Sequence, residues 1–157
     1  MKVYHTFDAF YNKDSEILIL GSMPSVKSRE LGFYYMHPQN RFWKVLEKVY
    51  DELITDKKEF LTKHKIALWD VIESCEIAGS QDSSIKNVKP NNLNKIIKKS
   101  NIKHIFCTGQ KAYQLYNKYA LPKTGLKAIC LPSTSPANCR LSLENLVENY
   151  QVINKEK

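Results

Sequence analysis

The sequence is poor in long apolar stretches. Near its N-terminus the longest continuous apolar run is Ile17–Leu20, far short of the ~20 residues that a transmembrane helix needs. The start, Met1-Lys2-Val3-Tyr4-His5, has no apolar core of the kind a secretory signal carries. A cytoplasmic protein without membrane association is the expectation. The four cysteines, Cys75, Cys107, Cys130 and Cys139, form no C-x-x-C pair, and the four histidines, at 5, 37, 64 and 104, share no ligand spacing. These absences predict no metal and no cofactor, and the thiols read as small buried side chains. There is no internal repeat and no linker, so the 157 residues form one expected domain, 1–157. A Gly-Lys-Ser/Thr ending is missing after the glycine turn at Gly21, which excludes a P-loop.

Positive charge is present in excess. Twenty-four lysines and arginines against 16 acidic residues leave a net charge of +8, which points to a polyanionic partner, most simply nucleic acid. The charge is dispersed rather than blocked, densest from Lys57-Lys58 to Lys65 and from Lys86 to Lys103. With 43% hydrophobic and 25% charged residues, the composition is that of an ordinary soluble globular chain.

Apolar patterning alternates between strand and helix. Ile17–Leu20 reads as a central parallel strand buried on both faces. Further strands are expected at Ile66–Ile72, Ile102–Cys107 and Lys127–Leu131. Helical spacing follows at Phe42, Val45, Leu46 and Val49, over Asp56–Lys63, from Asn91 or Asn92 through Ile97, through Ala112–Tyr119, and at Leu143–Tyr150 with Ser142 as N-cap. Pro122 and Gly125 punctuate the chain, Glu73–Pro90 reads as a loop, and residues 1–16 as a lead-in covering a sheet edge. The predicted fold class is α/β: a three-layer α/β/α sandwich around a mainly parallel four-stranded sheet. Its carboxyl edge would gather the segments after each strand, so that the two richest loops face each other across one cleft.

Those loops carry the chemistry. Gly21-Ser22-Met23-Pro24-Ser25 is either a plain turn or one that aims backbone N–H groups at a carbonyl or anion. Tyr34 and Tyr35 are either core aromatics or platforms for a nucleobase. Asn40 is either a helix cap or a catalytic residue fixed by the helix that follows. Ser133-Thr134-Ser135-Pro136-Ala137-Asn138 and Arg140 form either an ordinary connection or a rigid loop that presses on DNA, with Arg140 on a phosphate. Asp70 and Asp82 read as capping or loop residues.

Taken together, Gly21–Ser25, Tyr34-Tyr35-Met36-His37-Pro38-Gln39-Asn40-Arg41-Phe42-Trp43, Ala67-Leu68-Trp69-Asp70-Val71, Asp82-Ser83-Ser84-Ile85 and Leu131–Asn138 resemble the uracil-DNA glycosylase superfamily. They are most similar to its hypoxanthine-DNA (deoxyinosine) glycosylase branch, with the mismatch-specific uracil enzymes next. The resemblance implies hydrolysis of the N-glycosidic bond of a deaminated base flipped from double-stranded DNA, by a monomer that needs no cofactor. It implies Asn40 as the catalytic residue, Gly21, Ser22, Met23 and Tyr35 around the base, and Ser133–Asn138 with Arg140 on the DNA. Two departures stand out. The wider superfamily commonly has Asp or Asn where this chain has Met23, and often His where it has Ser133 or Thr134. A uracil or mismatch glycosylase, and a non-catalytic DNA-binding module of the same fold, are the alternatives.

Overall fold

The computed structural model of the chain describes residues 2–77, 84–138 and 140–155. At its centre lies Ile17–Gly21 (β2), buried along its whole length. Ile66–Asp70 (β3) pairs with one side of β2 and His104–Thr108 (β6) with the other. Ala128–Leu131 (β7) lies outside β6, and all these pairings are parallel. In register, Gly21 sits opposite Asp70 and Leu20 opposite Cys107. The order β3-β2-β6-β7 reverses direction between β2 and β6, and open parallel sheets form a crevice outside the strand ends at such a point.

Alternation along β2 splits the core in two. Leu18 and Leu20 join Ala67, Ile105 and Cys107 on one face. That face is covered by Asn94–Ile97 (α4), Gln110–Leu115 (α5) and a π-helical turn at Tyr116–Ala120 that leads into Leu121–Thr124 (α6). Ile17 and Ile19 join Ile66, Leu68 and Phe106 on the other, covered by Phe42–Tyr50 (α2), Lys57–Lys63 (α3) and Leu143–Lys155 (α7). This is the three-layer α/β/α sandwich with four parallel strands that the alternating pattern predicts. Cys75 and Cys107 are buried as expected, Cys130 is half-buried, and Cys139 lies outside the described residues.

Four readings of the sequence need correction. The stretch Glu73–Pro90 is not all loop. Ile72–Glu76 (β4) and Lys86–Pro90 (β5) pair antiparallel, with Lys2–Tyr4 (β1) on the other side of β4. The ladder is irregular, with register shifts around Ser74, which disrupts the two-residue period that would mark a strand. Residues 78–83 of that stretch, with Asp82 and Ser83, lie outside the described residues. Second, β3 ends at Asp70 because the next two N–H groups turn to the carbonyls of Gly21 and Ser22. Third, Val26–Leu31 (α1) forms inside what reads as a loop. Ser25 caps its N-terminus through the Ser28 N–H, and Gly32 closes it with φ 75°. It escapes periodicity because Ser28 is its one buried residue. Fourth, Pro122, read as punctuation of the chain, does not interrupt the helical run but stands in the first turn of α6, where its missing N–H costs little. Within the lead-in, Phe10 exchanges two backbone hydrogen bonds with Leu68 and so covers the outer edge of β3.

Candidate active site

The ends of β2, β3 and β6 and the loop after β7 line one cleft of about 870 Å³, within the ~300–1,000 Å³ typical of small-molecule sites. Its walls include Gly21–Ser25, Tyr35, Asn40, Asp70, Thr108 and Ser133–Asn138, so the two rich loops do face each other.

Tyr35 is placed under strain. It adopts φ 56°, a left-handed conformation that is unfavourable for a bulky L-residue. Both flanks hold it there. The Tyr34 carbonyl accepts the Trp43 indole N–H, and the Met36 N–H donates to Ser28 Oγ. Phe42, the first residue of α2, stacks on the Tyr35 ring at 3.8 Å and covers one face. Burial first, and then the charge of Asp70, push the Tyr35 phenol far above its ordinary range, so the hydroxyl stays protonated. Tyr34 is a core aromatic: it is 2% exposed, packs edge-on against Phe7 and Phe33, and donates to the Asp8 carbonyl.

Asn40 joins the two loops. Its Oδ1 accepts both the Phe42 N–H at 2.9 Å and the Thr134 hydroxyl at 2.8 Å. A backbone N–H must meet the amide oxygen rather than the nitrogen, which fixes the flip state. Both lone pairs of Oδ1 are thereby engaged, and Nδ2 has no partner among the described residues. The cap reading of Asn40 and the chemical one are compatible, because each uses a different end of the amide. Next to it, Arg41 ties down the opposite loop. Its guanidinium donates to the Leu141 carbonyl at 2.6 Å and the Asn138 carbonyl at 2.7 Å, and its N–H to Thr134 O.

The second loop is braced from within. Asn138 Nδ2 donates to Ser133 O, the Ser135 N–H to Ser133 Oγ, and the Ala137 N–H to Ser135 Oγ. Pro136 and Ala137 are left exposed at its tip, and Arg140 is exposed beyond it. Thr134 is only 1% exposed, so its hydroxyl serves Asn40 and cannot meet a duplex. At the first loop, Met23 has a backbone N–H without a partner among the described residues.

Sequence reasoning missed the floor. Asp70 is buried, and its Oδ2 accepts a hydrogen bond from His5 Nε2 at 2.8 Å, with both side chains 4% exposed. Asn91 braces the same corner by donating to the Asp70 and Ile72 carbonyls. His5 and Asp70 lie 65 positions apart with no local signal linking them. Lys27, on α1, also lines the cleft, as does Arg140. Among the described residues, no group of three or more His, Cys, Asp or Glu side chains is placed to hold a metal. No described helix is long and apolar enough to cross a membrane.

Comparison with known proteins finds that the model of the uracil DNA glycosylase superfamily matches residues 9–154. A hypoxanthine DNA glycosylase of Methanosarcina acetivorans is 34% identical over 142 residues, covering 87% of this chain and 89% of that protein. One from Methanosarcina barkeri is 33% identical over 141 residues, covering 85% and 87%. A solution NMR structure of a protein from M. acetivorans, provisionally named a uracil DNA glycosylase, superposes with a TM-score of 0.79 at 31% identity, covering 98% of this chain and 99% of that one.

Proposed function

The chain belongs to the uracil DNA glycosylase superfamily, and from that premise we propose that it excises hypoxanthine from double-stranded DNA by hydrolysing the N-glycosidic bond of a flipped deoxyinosine. Two relatives named for that activity, each about one-third identical over most of the chain, support the choice of base. A cytoplasmic monomer as the working unit is part of the same proposal.

The observation that carries the mechanism is the doubly occupied Oδ1 of Asn40. An amide is no general base near neutral pH, and this one has no lone pair left with which to orient water. What it offers the cleft is a donor, Nδ2–H. As the bond from the sugar C1′ to the base breaks, the electron pair leaves with the base, and a preorganised donor stabilises that negative charge. The Met23 N–H is a second donor of this kind. Water then joins C1′ and its proton passes to the departed base. A sugar cation is electrophilic enough to be captured without a basic residue at position 23. The base stacks on the face of Tyr35 that Phe42 leaves uncovered. Flipping costs a few kcal/mol, and the exposed loop tip at Pro136-Ala137, with Lys27 and Arg140, holds the backbone while it happens.

The test is incubation with duplexes carrying deoxyinosine, uracil or xanthine, followed by alkaline cleavage of abasic sites. Strand breaks at deoxyinosine are expected. No break with any lesion overturns the proposal.

A further inference from the structure

We propose that Asp70, held in place by His5, is the specificity-determining residue of the cleft, its Oδ1 accepting the ring N–H of the deaminated base. The inference rests on the reading of the chain as a hypoxanthine glycosylase and names how that base is told from adenine.

Three observations point to it. First, the carboxylate is nearly sealed from solvent, yet only Oδ2 has a partner, the His5 imidazole at 2.8 Å. A buried carboxylate is stable when its oxygens find donors. Oδ1 is not one of the sealed, unpartnered side-chain atoms, and since Asp70 lines the cleft, that is the side from which a donor reaches it. Second, Gly21 makes room for that oxygen. A Cβ there would stand 2.6 Å from Asp70 Oδ1 and 3.6 Å from Tyr35 Oη. The open oxygen therefore lies at the hydroxyl end of the ring on which the base is to stack, where the far edge of a stacked base arrives. Third, His5 is fixed by more than Asp70. Its backbone N–H donates to Glu73 O at 2.8 Å, and its ring packs 4.7 Å from Phe7. Its Nδ1 is buried without a partner, so the ring is held in the orientation that serves Asp70 rather than in one that satisfies both nitrogens.

An ionised carboxylate accepts and never donates. Hypoxanthine presents N1–H to it, whereas adenine presents a lone pair at N1. The two acceptors would repel, and a buried polar site left unpaired rejects a ligand strongly. His5 is a positioning residue: it occupies Oδ2 and so aims Oδ1.

The test uses the full chain and duplexes with 2′-fluoro-deoxyinosine or 2′-fluoro-deoxyadenosine, whose glycosidic bonds resist hydrolysis, together with cleavable deoxyinosine. The wild type binds the inosine duplex more tightly. Asp70→Asn, whose amide can turn a donor toward N1 of adenine, should lower the inosine-to-adenosine binding ratio about tenfold or more. His5→Ala should lower the same ratio, and His5→Gln, which keeps an N–H for Oδ2, should restore part of it. An unchanged ratio in Asp70→Asn overturns the inference, whether or not cleavage is lost, because lost cleavage alone would put Asp70 on the water or the sugar. Should Asp70→Asn fail to fold, an unchanged ratio in a folded His5→Ala overturns it. A wild type that cleaves no deoxyinosine overturns the proposed function, and the inference with it.

Discussion

Asn40 shows how one residue can be read two ways and satisfy both. Its position ahead of α2 is a capping position, and Oδ1 does accept the Phe42 N–H. The sequence says nothing of Thr134, 94 positions away, which takes the second lone pair. That contact decides which end of the amide is available for chemistry. If Nδ2 is the working atom, Asn40→Ala lowers kcat by about 10²–10³, the usual loss for one donor to a developing anion. Asn40→Asp should be equally poor, since it puts an oxygen where the donor was. Single-turnover cleavage of deoxyinosine measures both, and an active Asp variant would rule the donor role out. Thr134→Val keeps the shape of the buried side chain but frees the amide. A drop of about tenfold in kcat, ~1.4 kcal/mol of transition-state stabilisation, with little change in melting temperature is the expected result. Gly21 is legible as a turn residue, but the reason for its lack of a side chain, the nearby Asp70 carboxylate, is not.

At the scale of elements, the cleft depends on two loops being held at a fixed separation, and Arg41 supplies that restraint. One guanidinium fork meets two carbonyls of the opposite loop, at Asn138 and Leu141. Lysine has no such planar pair of donors. Arg41→Lys should therefore lose most of the activity that Arg41→Ala loses, and each should cost stability, by about 1.5–3 kcal/mol. Denaturant unfolding and cleavage assays on the two variants check both statements. Arg41 stood in plain view between Asn40 and Phe42, but a role that consists of bonds to residues about a hundred positions away has no local signature. The same holds for β4. Its pairing with β1 and β5 follows where β3 turns off at Asp70, and that turn is made by hydrogen bonds to Gly21, the last residue of β2, and Ser22 just beyond it. By contrast α1 has local signals, with Ser25 capping its start and Gly32 closing its end, but its mostly uncovered surface hides it from a search for apolar faces, so it reads as loop.

Over the whole molecule, charge and burial make two further predictions. Lys27 and Arg140 stand at the cleft. If they meet phosphates, replacing either with alanine weakens DNA binding alike on damaged and undamaged duplexes, and lowers the slope of log K against log salt by about one. Salt-dependent anisotropy titrations measure it. Buried tyrosines set the alkaline limit of the fold. Burial pushes Tyr34, Tyr35, Tyr50, Tyr116 and Tyr150 above the ordinary phenol value of 10.0. The folded state then holds these protons more tightly than the unfolded chain does. Stability from this source is intact below about pH 10 and falls as the pH rises beyond it, because the unfolded chain releases protons that the native state keeps. Denaturation at pH 8, 10 and 11, with phenolate absorbance followed in parallel, should show these tyrosines ionising only as the protein unfolds.

The sequence by itself determined the layered architecture and the place of the cleft. Apolar runs buried on both faces are the signature of parallel strands, and parallel strands put their following loops on one edge. It also determined which loops carry unusual residues. Only the tertiary structure decided what those residues can do. Whether Asn40 offers an oxygen or a nitrogen, whether Thr134 meets DNA or another side chain, and whether Asp70 is a turn residue or the floor of the site all depend on partners from 65 to 94 positions away. A hydrogen bond between such residues leaves no periodicity and no spacing, because it is made by the packing of the sheet and not by the chain around it.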